Sequence, residues 1–471
     1  MRRLQPIHWL FGLLLMVGAS CTSLPPTNQP TIEITQTPNS VLQTSNSPVL
    51  LSVTLPPLPP PTATDSAEFQ AELAELRAVR QTLNVQQRKS IQFWDGQGVL
   101  RWNELARELT ARYTTNPVRA SQIYAVVSLA QYEALRSAQN QQRTFNRILP
   151  DNTTTGVEPL LPLGNNGSYP SDHAALAAAS AAALTYFFAS DRIQIEQLRT
   201  EHQETRLWAG VSLRSDLTAG DQLGRAIAAQ VIEQTQARVA TDVSWVVPEG
   251  AGFWMVGPES QMGPLEANWS RSRPWFLERP DQFRPPPPPV FGSDEFKAAL
   301  NEVQTFVAKQ DPEYIRIAKY WEDGRRTATP SGHWNTIAAE TLLTQQTDLL
   351  TSARILAFMN MAMMDASIAV WDAKYTYWYI RPYQADPQLK PILSRPPHPS
   401  YPSGHAGFSG AAAAFLGEVF PEQRATFAEQ AKEASLSRVY GGIHFRFDCD
   451  AGLALGQQIG TIAAQHYQNQ P

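Results

Sequence analysis

Two strings constrain this chain more than anything else in it: YPSDH at 169–173 and YPSGH at 401–405, each running into an Ala-rich helical stretch. They lie 232 residues apart. The same interval joins Trp102 to Trp334, Ile123 to Ile355, Arg206 to Arg438, Gly210 to Gly442, Asp216 to Asp448 and Gly224 to Gly456. An interval kept from Trp102 to Gly224 is the mark of a tandem duplication. Two copies of one sequence must make the same elements and bury the same faces. From residue 67 onward the apolar residues recur at helical spacing, as in SQIYAVVSLAQYEALRSA and SARILAFMNMAMMDASIAVWDAKY, and strand signals are sparse. The expected fold is all-α: tandem-duplicated helical bundles of four or five helices each, packed about a pseudo-twofold axis, with the active site in the C-terminal bundle. The copies are expected over 67–246 and 301–471.

The segments around the copies read differently. Residues 1–20 carry Arg2 and Arg3, then the apolar run WLFGLLLMVGAS, shorter than the about 20 residues of a membrane span. The run ends at Cys21, which suits a lipoprotein-type signal with Cys21 as the lipidated residue. Cleavage after Ala19 is the rival and would give a secreted or periplasmic protein. Either way an exported protein is expected, and no later stretch is expected to have the length of a membrane span. Residues 21–66 are rich in Pro, Thr and Ser and read as a disordered tether, too poor in apolar surface to offset ordering entropy. Residues 247–300 form a connector rich in Trp, Pro and Gly, with Pro285–Pro289 expected as a stiff polyproline II rod. A long non-helical segment is often functional, although Trp254, Trp269 and Trp275 read more readily as packing than as substrate contacts. Loss of residues 1–20 removes two Arg and no acid, moving the formal charge from −5 to −7, which argues against a nucleic-acid partner. The cysteines are Cys21 and Cys449, so a lipidated Cys21 leaves Cys449 as a lone thiol, and its flanks suggest burial.

The second copy gathers polar residues that are out of place in a helical core. Lys374 and Arg381 lie seven apart, as if two turns along one helix face. Ser403, Gly404 and His405 follow, then Arg438, His444 and Asp448. Three cations, a hydroxyl, a glycine at a helix N-terminus and two histidines make an oxyanion site. The cations neutralise a multiply charged tetrahedral anion, and the helix N-terminus favours it further. One histidine can attack or ligate the central atom while the other moves a proton. The first copy keeps Ser171, His173, Arg206 and Asp216, but Ser212 stands at the place of His444 and Asp172 at that of Gly404. A carboxylate there puts negative charge where an anion must sit, so the first copy reads as structural.

The blocks K-x6-RP, PSGH and SR-x5-H-x3-D, in this order over 374–448, resemble the signature of the superfamily that joins type-2 phosphatidic acid phosphatases to vanadium-dependent haloperoxidases. A duplicated chain without multiple membrane spans resembles the haloperoxidase branch more. The resemblance implies that Lys374, Arg381, Ser403, Gly404 and Arg438 hold the oxygens of vanadate or phosphate. It implies His444 as axial vanadium ligand or phosphate-accepting nucleophile, His405 as acid–base group, and Asp448 as the residue that orients His444. His398, seven before His405, is a candidate for tuning the halide reaction; a plain loop histidine is the alternative. Arg446 and Asp450 read as surface or salt-bridge residues.

The first expected function is a vanadate-dependent haloperoxidase acting on hydrogen peroxide and halide. The second is an exported acid phosphatase that cleaves a phosphate ester through phospho-His444. The third is a catalytically silent lipoprotein that binds anions or a protein, touching a membrane only through its lipid. The blocks alone do not separate the first two, because vanadate imitates the phosphoryl transition state.

Overall fold

Several helices begin where the sequence supplies a side-chain cap. In the computed structural model, which describes residues 51, 53–147, 155–163, 167–241, 245–257 and 263–469, Ser66 caps α1 (Ala67–Gln81) and Asn84 caps α2 (Val85–Trp94). Then come α3 (Gly98–Arg112), α4 (Pro117–Phe145), α5 (Asp172–Phe187), α6 (Arg192–Ala209) and α7 (Arg214–Gln236). The second copy follows with α8 (Asp294–Lys309), α9 (Pro312–Tyr320), α10 (Thr329–Thr344), α11 (Leu349–Tyr377), the one-turn α12 (Pro382–Ala385), α13 (Gly404–Val419), α14 (Arg424–Tyr440) and α15 (Arg446–Asn469). No strand occurs among the described residues; a single antiparallel bridge joins Phe253 to Tyr379. The fold is all-α. Among the described residues the first half has seven α-helices and the second eight, more than the four or five expected.

The bounds of α4 and α11, and of α5 and α13, are related by the same 232 residues as the motifs. Ahead of Trp102 the interval drops to 227: the capping residues Ser66 and Ser293, Phe69 and Phe296, and Trp94 and Trp321 all pair at that spacing. The change of five falls between Trp321 and Trp334, where the second copy has a longer loop. Both copies keep an indole-to-carboxylate bond there, Trp94 to Glu201 at 3.0 Å and Trp321 to Glu433 at 2.8 Å. Gly210 and Gly442 sit at φ +78° and +77°, a left-handed conformation that other residues adopt at a cost.

The halves meet through α4 and α11, assisted by α3 and α10. Asn103 donates to Asn335 at 2.8 Å, and Asn360 donates to Ser128 at 2.8 Å; both pairs are 232 residues apart. Only residues on a twofold axis touch their own equivalents, so these two bonds mark the pseudo-axis. Asn335 and Asn360 also bond each other at 2.7 Å, so the buried amides satisfy one another.

Two expectations need correction. α11 has 29 residues and mean hydropathy 1.3 in its most apolar window, enough to cross a membrane by length and composition, but 94% of that window is buried inside the fold. It is long and apolar because it lies between the two halves. The tether is also shorter than expected. Leu51 is buried, Thr54 exchanges two hydrogen bonds with Gln230 at 2.7 and 2.8 Å, and Tyr169 donates its hydroxyl to the carbonyl of Pro59. Composition announced low apolar content; it did not announce that main-chain carbonyls of a proline run would find donors. Cys21 and the signal segment lie outside the described residues. Helix α8 starts inside the expected connector, at Asp294. Trp254 and Trp269 are fully buried, and Trp275 offers its backbone N–H to Asp365 at 2.7 Å, so the connector's tryptophans pack.

Candidate active site

The residues picked from the second copy come together, in two groups joined by main chain. The first group surrounds Arg381. The expectation that Lys374 and Arg381 share a helix face is corrected: α11 stops at Tyr377, Trp378 turns left-handed at φ 48°, and Arg381 lies beyond the helix. The chain doubles back there, so both cations reach the same interior. Lys374 Nζ donates to the carbonyls of Pro399 and Ser400, both at 2.7 Å. Arg381 donates to the carbonyl of Ile443 at 2.7 Å, to His444 Nε2 at 3.0 Å and to His398 Nδ1 at 3.1 Å.

His444 is held from its other side. Its Nδ1 faces Asp448 Oδ2 at 2.9 Å, which also accepts from Phe445 N at 3.0 Å and Ser400 Oγ at 2.5 Å. The carboxylate keeps the proton on Nδ1 and leaves the Nε2 lone pair directed at Arg381. Burial, then the cations Arg381 and Lys374, push the His444 pKa well below the usual value, so the imidazole is neutral. Burial raises Asp448 to about 6. Its Oδ1 is buried without a hydrogen-bond partner among the described residues. Burial and Arg381 likewise drive Lys374 well down.

The second group surrounds Arg438. Its guanidinium donates to the carbonyls of Ala318, Glu322 and Trp321, the first two at 3.2 and 3.3 Å, and faces His405 Nε2 at 3.2 Å. Burial lowers Arg438 to about 10 and pushes His405 well below its usual value. Ser403 caps α13: its Oγ accepts from Ala406 N at 3.4 Å, which leaves its own O–H to donate. Gly404 opens the helix, where backbone N–H groups have no intrahelical partner. Ser403 N donates to Asp448 O at 2.8 Å, the tie between the groups.

His398 is not a free loop residue. It is buried, its Nδ1 faces Arg381, and its ring lies 5.0 Å from that of Trp371. Arg446 bonds Glu302 at 2.8 Å, and Cys449 is a buried thiol whose Sγ donates to Ser435 O at 3.2 Å. Two contributors escaped the sequence reading. Ser400 reaches the Asp448 carboxylate, a residue whose signal was only its place one before the Tyr-Pro-Ser-Gly-His string. The longer loop after Trp321 supplies the Glu322 carbonyl, 3.2 Å from His405. A third PSGH string, 330–333, opens α10; its His333 stacks on Trp321 at 4.3 Å and pairs with Asp323 at 3.1 Å. The motif letters alone therefore do not make this site.

Lys374, Arg381 and Arg438 are all fully buried, and Asp448 is the fully buried carboxylate beside them. Burying a charge without its counter-charge costs several kcal/mol, so this donor set fits a tetrahedral oxyanion such as vanadate or phosphate. It combines excess positive charge, a hydroxyl donor, free helix-terminal N–H groups and a neutral imidazole lone pair.

The PAP2 superfamily model matches residues 352–471. No curated protein matches the chain. Among solved structures, a crystal structure described as the first bacterial vanadium-dependent iodoperoxidase is 26% identical, covering 78% of this chain and 96% of its own, with a TM-score of 0.65. The holo-type bacterial vanadium-dependent chloroperoxidase is 15% identical, with a TM-score of 0.57 over 75% of this chain and 92% of its own. Its apo-type form is 16% identical, with a TM-score of 0.56 over 75% and 95%. Residues 352–471 thus match the PAP2 superfamily, within a fold that this chain shares with bacterial vanadium-dependent haloperoxidases.

Proposed function

We propose that this protein is a vanadate-dependent haloperoxidase-type enzyme that oxidises halide with hydrogen peroxide. The observation that carries the reading is the fully buried excess of positive charge around a neutral His444 whose Nε2 lone pair faces the Arg381 guanidinium at 3.0 Å. Lys374, Arg381 and Arg438, with the Ser403 hydroxyl and the Gly404 N–H, would hold the vanadate oxygens, and His444 Nε2 would bind the metal. Vanadate held there supplies an electrophilic centre for activating peroxide. Asp448 keeps His444 in the binding tautomer. His405, neutral and beside Arg438, takes or returns a proton at Nε2. The likeness to the iodoperoxidase supports iodide, with bromide, as the halides to try.

The runner-up is an acid phosphatase acting through phospho-His444, which the PAP2 match supports. Purified protein, assayed with and without vanadate for iodide and bromide oxidation and for p-nitrophenyl phosphate hydrolysis, separates the two. Vanadate-activated halide oxidation is expected. Ester hydrolysis that vanadate only inhibits would decide for the phosphatase, and anion binding without either activity for a silent binder. We also propose export with a lipid on Cys21. Fatty-acid labelling that survives in Cys21→Ala would refute that anchor.

A further inference from the structure

The connector holds the backbone that carries the site. Trp254 N donates to Trp378 O at 2.6 Å and Ile380 N to Gly252 O at 3.0 Å, pinning the stretch between α11 and Arg381. The polyproline run grips the same stretch. Tyr377 Oη donates to Pro285 O at 2.7 Å, Tyr379 Oη to Pro289 O at 2.6 Å and Tyr401 Oη to Pro286 O at 2.8 Å. A polyproline II run makes no internal hydrogen bonds, so its carbonyls are available to such donors. Tyr379 lies two residues before Arg381, and its own carbonyl accepts from Ser400 N at 2.9 Å.

The first copy has its own strap, and the difference is informative. Tyr169, the equivalent of Tyr401, donates to Pro59, which pairs with Pro286 at the 227 interval. That bond is common to both copies and belongs to the fold. At the position of Tyr377 the first copy has Phe145, which has no hydroxyl. At that of Tyr379 it has Arg147, which reaches Thr62 Oγ1 in the strap at 3.2 Å but donates to Asp216 at 2.9 Å. Tyr379 keeps the strap contact and brings no charge to Asp448.

We propose that Tyr377 and Tyr379 are positioning residues, tying the 285–289 strap across the segment that carries Arg381 so that its guanidinium stays in register for the oxyanion. The proposal rests on the oxyanion reading above. It explains why two hydroxyls absent from the first copy stand within three residues of Lys374 and two of Arg381.

The test is inorganic vanadate affinity, measured alongside thermal stability, for wild type, Tyr377→Phe, Tyr379→Phe, the double variant and Tyr169→Phe. The double variant should bind vanadate roughly tenfold more weakly, with a melting temperature lowered no more than in Tyr169→Phe. Tyr169→Phe should keep its affinity within about twofold. Unchanged affinity in the double variant, with wild type binding vanadate, overturns the positioning role and leaves the oxyanion site standing. An equal loss in Tyr169→Phe overturns it too, since general loosening would then explain the effect. Failure of wild type to bind vanadate or phosphate overturns the oxyanion reading and this proposal with it.

Discussion

The two halves share a backbone and differ in where their counter-charges come from. In the first half His202 fills the interior: its Nε2 faces His173 Nδ1 at 3.0 Å, and its Nδ1 accepts from Trp102 at 3.1 Å. Arg206 has Asp95 at 3.5 Å and feels the buried Asp172, while Arg147 neutralises Asp216. In the second half Ala434 stands in place of His202, Gly404 in place of Asp172 and Tyr379 in place of Arg147. Asp448 is left to His444, and Arg438 rests on neutral carbonyls. The two copies therefore differ mainly in side chains, with the one-turn α12 added in the second. What separates them is whether the positive charge is matched from inside the protein.

The strongest way to break this comparison is to remove equivalent residues. His444→Ala should abolish activity, and Ser212→Ala should leave it unchanged. His405→Ala should cost about 10²- to 10⁴-fold, whereas His173→Ala should stay within about twofold; equal losses in steady-state rates would show that the first copy also works. Next is to write the first copy's carboxylate into the second. A Cβ on Gly404 meets only Trp371, at 3.4 and 3.8 Å, so there is room for a side chain. Gly404→Asp should weaken phosphate or vanadate binding by about a hundredfold or more, and the neutral Gly404→Asn by under about tenfold. Matching losses, read by titration calorimetry, would make the effect steric.

Lys374→Gln copies Gln142, which bonds Pro170 O at 2.9 Å in the first half. It should lower anion affinity about ten- to a hundredfold through loss of one charge-assisted donor. An unchanged binding isotherm would remove Lys374 from the site. The smallest effect concerns pH. Burial, then Arg206, depresses the His202 pKa well below its usual value. The unfolded chain takes up that proton near pH 6.5 and the folded protein does not. The contribution is thus complete above about pH 6.5 and lost as pH falls, by about 1.4 kcal/mol per pH unit. His202→Gln should therefore lose least relative to wild type at low pH. Urea titrations between pH 5 and 7 that show a constant gap would contradict the assignment.

The helices and the gathering of Lys374, Arg381, Arg438 and His444 were legible because each left a periodic or spaced trace. An interval of 232 survives only where helix lengths and connections are both kept, and the buried Asn103–Asn335 contact shows why drift there is costly. The correspondence of α1–α2 to α8–α9 was hidden because the longer loop after Trp321 shifts their interval to 227. The identities of Lys374, Arg381, Arg438 and His444 were readable, but their partners were not, since the carbonyls of Pro399, Ile443 and Trp321 belong to any residue type. The docked strap at Pro59 was hidden for the same reason: composition counts side chains, and the bond is made to main chain.

The bonds on the pseudo-axis carry a consequence for how such a molecule can change. In a homodimer a single gene writes both sides of every axial contact, so a substitution arrives twice and faces itself. Asn103 and Asn335 still match, but Ser128 opposite Asn360 is a pairing that a symmetric dimer cannot make. Placing both copies on one chain gives each side its own codon and holds the partners at high effective concentration. One half is then free to drift in sequence while the other stays under selection.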